Sequence, residues 1–157
     1  MRGFYRFLKM NRHKRMNFIF DLDRTLWDFT IEYSPTIKCK DVKQNYIHAS
    51  RPIILKTLQD EGHILNVASR SKVPNTCCFF LDVVYPEITF LDKQIFYTPE
   101  EDKQEHLENI LGLNVVYPFY FFDDEKTIMD RAKDKNKLCH GFHTPNGLNF
   151  DTFKFFE

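Results

Sequence analysis

Two short apolar segments of this chain run directly into aspartate residues. Residues 17–22 contain Asp21 near their end, and residues 118–122 are followed by Asp123 and Asp124. A strand that is apolar on both faces is typical of the interior of a parallel sheet. The chain alternates further short strands with amphipathic helices, and this alternation predicts an α/β fold.

The hydrophobic pattern and the turn residues locate the other elements. Besides the first strand, strands are predicted at residues 63–68, 94–97, 118–122 and 138–142. Helices are predicted at residues 50–61, 73–82, 98–111, 126–133 and 150–156. Ser50 and Thr98 are the expected N-caps of two of these helices. Residues 26–49, which include Pro35, are expected to form an irregular loop or a hairpin.

The charges balance overall but are unevenly distributed, with 22 basic and 22 acidic residues. The mildly acidic body argues against nucleic-acid binding as the main activity. We predict a basic N-terminal arm at residues 1–16 and one folded domain at residues 17–157. The arm is expected to be a solvated or partly disordered tail, or alternatively to touch phosphates or a membrane surface. Residues 1–20 contain no acidic residue. The basic residues of the arm are Arg2, Arg6, Lys9, Arg12, Lys14 and Arg15.

Two features of the sequence bear on the cellular setting. No apolar stretch approaches the length of about 18 residues that a membrane span needs, so no transmembrane segment is expected. The spacing of Cys39, Cys77, Cys78 and Cys139 matches neither a C-x-x-C motif nor a disulfide framework. Because the chain also shows no apolar export signal, reduced thiols in a cytoplasmic setting are the expectation.

Polar side chains follow three of the predicted strands and lie in the helix after a fourth. Ligands of an open parallel sheet bind beyond the carboxyl ends of its strands, so these side chains are expected to meet at one place. Carboxylate oxygens suit Mg²⁺, and a lysine and a serine beside the metal suit a phosphoryl group. The residues concerned are Asp21, Asp23, Ser69, Lys103, Asp123 and Asp124.

Each of these residues also has an ordinary structural explanation. The pair Asp123 and Asp124 could cap a helix, Ser69 could form a turn, and Lys103 could be a solvated surface residue. Their joint occurrence in this order along the chain nevertheless favours a common site.

The order of the motifs resembles the haloacid dehalogenase superfamily of phosphotransferases. Asp21-Leu22-Asp23-Arg24-Thr25 matches its first motif, Ser69 the second, Lys103 the third and Asp123-Asp124 the fourth. Within this superfamily the chain is most similar to the magnesium-dependent phosphatase-1 family. That similarity spans about residues 17–152 and lies in residues 20–23, 25–27, 68–70, 121–126 and 146–149. Arg24 departs from the pattern, because that family usually has Tyr there and many relatives have Gly.

The resemblance implies a Rossmann-like three-layer core and a two-step hydrolysis. Asp21 would attack phosphorus and form an aspartyl-phosphate. Asp23 would protonate the leaving oxygen and then take a proton from the attacking water. Nearby acids would have to raise the pKa of Asp23 for the first of these roles.

The resemblance also implies a metal site and a set of substrate-binding residues. Mg²⁺ would be held by Asp21, the backbone carbonyl of Asp23 and Asp124, with Asp123 as an indirect or water-bridged ligand. The implied substrate-binding residues are Thr25, which would also brace the loop, together with Ser69, Arg70 and Lys103.

The spacing of the motifs predicts an open site without a cap domain. The intervals from Thr25 to Ser69 and from Ser69 to Lys103 leave no room for a lid. An open site suits a bulky substrate such as a phosphotyrosine side chain of a phosphoprotein, and a sugar phosphate is the second option. Residues 26–49 are the expected specificity surface, and the alternative is that they form an ordinary exposed loop. The residues of this segment that could contact a substrate are Tyr33, Lys38, Lys40, Lys43 and Tyr46.

A second hypothesis is a catalytically impaired binding module that presents its basic arm to a nucleic acid, a membrane or a protein. Arg24 is the feature that favours this hypothesis, because a cation beside Asp21 could occupy the phosphate site. The complete set of acids argues against it. A monomer is expected in either case.

Overall fold

The structure of the protein is a computed structural model that describes residues 1–34 and 37–157. At its centre lies a sheet in which every neighbouring pair of strands is parallel. The order across the sheet is β3-β2-β1-β4-β5, which confirms the predicted α/β class with a central parallel sheet. The strands are β1 (Asn17–Phe20), β2 (Ile64–Ser69), β3 (Phe90–Ile95), β4 (Phe119–Asp123) and β5 (Cys139–His143).

Helices pack against both faces of the sheet and give the three-layer, Rossmann-like sandwich. One face carries α5 (Gln104–Leu111) and α6 (Lys126–Lys135). Within the described residues, no additional domain is inserted between consecutive strands of the sheet. The other face carries α1 (Arg2–Met10), α2 (Cys39–Asn45), α3 (Ser50–Asp60), α4 (Pro74–Val84) and a closing 3₁₀ helix (Phe150–Phe156).

Aromatic rings fill the layer between the sheet and α1. Phe18 and Phe20 of β1 point to this face while Ile19 points to the other, as the alternation of side chains along a strand requires. The ring of Phe122 stacks on Phe20 and on Phe142, with centroids 4.8 Å apart in each pair. Burial of each ring contributes roughly 1.5–3 kcal/mol, so the central strands are firmly held in register.

The N-terminal arm contains an amphipathic helix that packs on the core. Phe4, Phe7 and Leu8 of α1 are buried at the spacing of one helix face. A Cβ atom at Gly3 would lie 2.2 Å from the carbonyl oxygen of Phe153 in the closing helix, so glycine permits this close approach. The bases face solvent on the opposite side. The expectation of a solvated tail is therefore wrong for residues 2–10.

Two predicted boundaries in the third strand–helix unit are wrong. β3 lies at Phe90–Ile95 rather than at 94–97, because an edge strand with alternating exposed residues has no continuous apolar run. Its neighbour α5 begins at Gln104 rather than at Thr98. The Thr98 hydroxyl does not cap a helix but lies in a loop, 3.1 Å from the carbonyl oxygen of Glu100.

The segment between β1 and α3 is more ordered than expected. Residues 26–49 contain a 3₁₀ helix (Ile31–Tyr33) and α2, and their described part forms no hairpin. Pro35 lies outside the described residues. Ser50 is the first residue of α3 rather than its N-cap, because its hydroxyl pairs with the imidazole Nδ1 of His48 at 2.7 Å.

No helix in the described part of the chain combines the length and the apolar character that a membrane crossing would need. The four cysteines, Cys39, Cys77, Cys78 and Cys139, are free thiols.

Candidate active site

The candidate site lies where the chain reverses its direction across the sheet. From β1 the chain builds outward to β2 and β3 and then returns to the other side of β1 as β4. A crevice opens beyond the carboxyl ends of the strands at such a reversal. Asp21 follows β1 directly, Asp123 ends β4, and the Asp21 amide donates to the Phe122 carbonyl at 2.9 Å. The sheet therefore places the two aspartates side by side.

Three carboxylates converge in this crevice. Asp21, Asp123 and Asp124 each offer one oxygen, and these oxygens lie within 4.8 Å of one another. Asp21 and Asp123 are buried, whereas Asp124 is half-buried. Clustered carboxylate oxygens suit a hard divalent cation such as Mg²⁺. The structure thus brings together the three carboxylate side chains that were expected at the metal.

A buried ammonium group joins two of the three carboxylates. Lys103 lies immediately before α5, and its Nζ donates to Asp21 Oδ1 at 2.6 Å and to Asp123 Oδ2 at 2.7 Å. The other oxygen of Asp123 accepts from the Glu125 amide at 2.9 Å. Both oxygens of Asp123 therefore have hydrogen-bond donors.

The pKa values in this cluster show how poorly solvent stabilises its charges. Burial raises the pKa of Asp21 to about 8, with Lys103 opposing the rise and Asp124 adding to it. Burial and the charge of Asp21 raise the pKa of Asp123 to about 6. Burial disfavours the Lys103 ammonium, yet the two carboxylates outweigh burial and raise its pKa. Three ionised carboxylates and one ammonium leave two negative charges, which one divalent cation would balance.

Asp23 lies at the same cavity but outside the carboxylate cluster. Its Oδ1 accepts from the Trp27 indole at 2.8 Å and from the Ile31 amide at 3.1 Å. Burial raises the pKa of its carboxyl group. A half-buried carboxyl with a raised pKa, oriented by two donors, has the properties of a general acid.

Thr25 orients Asp21 and does not reach the open part of the cavity. Its side chain is fully buried, and its hydroxyl donates to Asp21 Oδ2 at 3.0 Å. The hydroxyl of Thr144 lies 3.3 Å from that of Thr25. Both oxygens of Asp21 are therefore held, Oδ1 by Lys103 and Oδ2 by Thr25. Thr25 was expected both to bind the substrate and to brace the loop after β1. Its contacts with Asp21 and Thr144 support the bracing role.

Ser69 and Arg70 approach the cavity from the end of β2. The Ser69 hydroxyl accepts from the Ser71 amide at 3.3 Å and remains available as a donor. The guanidinium of Arg70 is anchored by Thr98, with Nε donating to the hydroxyl at 3.0 Å and Nη2 to the carbonyl at 2.7 Å. Arg70 also lies over the ring of Tyr97, 5.5 Å from its centroid.

All the predicted site residues except the buried Thr25 line one small cavity of about 130 Å³. Arg24 lies at its mouth, is exposed, and makes no ion pair with a described residue. The backbone of Arg24 has a φ of 62°, the left-handed conformation that favours glycine. The lining residues are Asp21, Asp23, Arg24, Thr30, Ser69, Arg70, Lys103, Asp123, Asp124, Glu125 and Ile128.

Sequence reasoning missed the residues that support the site from behind. The Nε2 atom of His106 lies 2.9 Å from the carbonyl oxygens of Ser69 and of Phe96, so it ties β2 to α5. Thr98 and Thr144 anchor Arg70 and Thr25, as described above. These residues are far from the motifs in sequence, and a lone histidine or threonine carries no pattern that would have revealed them.

The expected specificity surface is only partly exposed. Tyr33 is 81% exposed, and Lys38 and Lys40 face solvent. Tyr46 is half-buried and packs edge-on against Phe29. The side chain of Lys43 lies outside the described part of the chain. Tyr33 and the two described lysines are therefore exposed, whereas Thr30 is the described residue of this segment that lines the cavity.

No protein-family model matches the chain, and a search of curated proteins finds no significant match. Function is therefore inferred from the geometry of the cavity and from the order of its residues along the chain.

Proposed function

We propose that this chain is a Mg²⁺-dependent phosphatase of the haloacid dehalogenase type, which hydrolyses phosphomonoesters through an aspartyl-phosphate on Asp21. The observation that carries the proposal is the buried Lys103 ammonium, which bridges Asp21 and Asp123 where the sheet reverses direction. The carboxylate of Asp124 completes a group that suits a metal ion and a phosphoryl group together. The matching order of motifs supports the same assignment.

In the first proposed step, one carboxylate oxygen of Asp21 attacks phosphorus. The new P–O bond forms as the bond from phosphorus to the ester oxygen breaks, and Asp23 gives its proton to that leaving oxygen. Lys103 and Thr25 hold the carboxylate of Asp21 in one orientation for the attack. Asp21 and Asp124, with Asp123 in support, would hold Mg²⁺, which would supply positive charge that reduces the repulsion between carboxylate and phosphate.

In the second step, water attacks the phosphorus of the aspartyl-phosphate. Asp23 takes a proton from the water, the P–O bond to Asp21 breaks, and inorganic phosphate leaves. The hydroxyl of Ser69 and the ammonium of Lys103, which both line the cavity, would donate to the phosphoryl oxygens in both steps.

The cavity's size bears on the substrate. A volume of about 130 Å³ holds a phosphoryl group but not the rest of a substrate. The remainder would lie outside, against Arg24 and Arg70, which line the cavity. We therefore propose a phosphoprotein side chain such as phosphotyrosine as the preferred substrate class, ahead of a sugar phosphate. The free thiols favour a cytoplasmic setting.

The alternative of an impaired binding module is less well supported. It requires Arg24 to occupy the phosphate site, yet Lys103 is the cation that contacts the carboxylates. Arg24 is exposed at the mouth, where it can meet a substrate without blocking Asp21.

The proposal is tested by phosphate release from phosphotyrosine peptides and sugar phosphates. We expect release to need Mg²⁺, to stop with EDTA and to be abolished in Asp21→Asn. The matched control is Asp134→Asn, an exposed aspartate of α6, which should retain full activity. Release that persists in Asp21→Asn at the wild-type rate would contradict the proposal.

A further inference from the structure

One loop at the end of the sheet opposite the candidate site exposes unusually large apolar side chains. Residues 112–118 connect α5 to β4 and contain no charged residue. Leu113 is 81% exposed, Val116 70% and Tyr117 78%. Val115, between them, packs into the core beneath α5 and α6. The loop is thus anchored by one residue and presents three others to solvent.

A cluster of bases adjoins this loop. A cavity of about 400 Å³ is lined both by Tyr117 and Pro118 of the loop and by Lys14 and Arg15. The ring of His140 also lines this cavity. The turn from α1 to β1 that carries the two bases also carries Arg12 and His13, and no acid occurs in residues 1–20.

The position of these bases is fixed by the fold. Asn11 donates from Nδ2 to the Phe7 carbonyl at 2.9 Å, and its Oδ1 accepts from the Tyr120 hydroxyl at 2.9 Å. These bonds tie the turn to α1 on one side and to β4 on the other. Lys14 and Arg15 are therefore held next to the apolar loop.

We propose that residues 112–118 and the bases at 12–15 form a docking surface for an anionic lipid membrane. Aliphatic and tyrosine side chains at the tip of a loop can enter the boundary between headgroups and acyl chains. Lysine and arginine beside them bind the anionic headgroups. An RNA or an acidic peptide would satisfy the bases, but it would leave Leu113 and Val116 in water.

The proposed surface complements the candidate site instead of overlapping it. The loop and the bases lie at the amino ends of β1 and β4, whereas Asp21 and Asp123 lie beyond the carboxyl ends of the same strands. A chain docked through this surface keeps its cavity directed away from the lipid. The docking surface does not depend on the proposed phosphatase activity.

Vesicle sedimentation of the full chain tests this proposal. We expect the chain to sediment with phosphatidylcholine vesicles that contain phosphatidylserine, to stay in solution with phosphatidylcholine alone, and to be released by salt. The variant Lys14→Gln/Arg15→Gln should bind about fivefold more weakly for each charge removed. The variant Leu113→Ser/Val116→Ser/Tyr117→Ser should lose sedimentation.

A matched control changes a base and an exposed ring elsewhere. Lys56→Gln/Phe79→Ser, on α3 and α4, should sediment like the wild type. Near-ultraviolet circular dichroism checks that every variant is folded. Tyr117→Trp provides an independent readout, because its fluorescence should shift to the blue on anionic vesicles while the buried Trp27 stays constant.

Three results would overturn the proposal. The first is no sedimentation of the wild type with phosphatidylserine vesicles. The second is equal sedimentation of the wild type and the loop variant. The third is release of the chain from vesicles by single-stranded RNA together with unchanged RNA binding by the loop variant, which would assign the bases to a nucleic acid.

Discussion

Arg24 adopts a backbone conformation that costs a residue with a Cβ atom roughly 1–2 kcal/mol. This residue lies between Asp23 and Thr25, at the mouth of the cavity. Strain that persists beside a site points to a side chain with a use there. A guanidinium at this position can meet the part of a substrate that lies outside the cavity.

We predict that Arg24→Gly raises the free energy of unfolding by about 0.5–1 kcal/mol, because glycine adopts a φ of 62° without strain. Arg24→Ala is the matched control, since it removes the same charge but keeps the Cβ atom. Urea unfolding of the Mg²⁺-free proteins measures both. An equal gain in the two variants would show that charge, rather than backbone strain, sets the stability here.

His106 makes stability depend on pH. Burial lowers its pKa to about 4, and its Nδ1 has no hydrogen-bond partner among the described residues. Because its Nε2 faces two carbonyl oxygens, that atom carries the proton of the neutral ring. An unfolded histidine has a pKa near 6.5. Between pH 6.5 and 4 the unfolded state therefore binds a proton that the folded state does not.

The stability contributed by neutral His106 is thus present above about pH 6.5 and is lost as the pH falls towards 4. We predict that the wild type loses on the order of 1–2 kcal/mol more than His106→Gln between pH 7 and pH 5. The glutamine keeps an N–H donor and removes the titration. Buried Asp21 titrates with the opposite sign, so only the difference between the two proteins isolates His106. Parallel pH profiles of denaturant unfolding would contradict this account.

Among the elements, α1 differs most from its prediction. The spacing of Phe4, Phe7 and Leu8 was visible in the sequence, but six neighbouring bases favoured a tail. What the sequence could not show is the surface that receives them, which forms only when the closing helix and β4 meet. Phe7 packs against Phe153 with ring centroids 5.1 Å apart.

We predict that Phe7→Ala lowers the free energy of unfolding by about 3–5 kcal/mol, as expected for a large ring removed from a core. Tyr5→Ala, on the exposed side of the same helix, should change it by no more than about 0.5 kcal/mol. Guanidinium unfolding monitored by circular dichroism measures both. If residues 2–10 were an unpacked tail, Phe7→Ala and Tyr5→Ala would change the free energy of unfolding by equally small amounts.

The central strands could be predicted because burial on both faces gives them continuous apolar runs. β1 and β4 were found in this way, and with them Asp21, Asp123 and Asp124. Edge strand β3 was misplaced because it has no continuous apolar run, and α2 was missed because it is short and largely polar. Local pattern thus identifies strands with continuous apolar runs and helices with one apolar face, and it fails where tertiary contacts decide.

At the scale of the whole molecule, strand order explains why residues distant in sequence meet. The reversal between β1 and β4 juxtaposes Asp21 and Asp123, and the loop before α5 returns Lys103 to them. Motif order predicted this convergence. It could not predict that Asp23 would turn towards Trp27, that Thr25 would be buried behind Asp21, or that His106 of α5 would support Ser69.

The proposed function requires that Asp21 becomes covalently phosphorylated. Rapid mixing with a phosphomonoester and Mg²⁺, followed by borohydride, reduces an aspartyl-phosphate to homoserine, and mass spectrometry of the digested chain locates it. We predict homoserine at position 21 and nowhere else, lost with EDTA and retained in Asp134→Asn. Turnover of the ester with no homoserine at position 21, or with homoserine at another aspartate, would contradict the account.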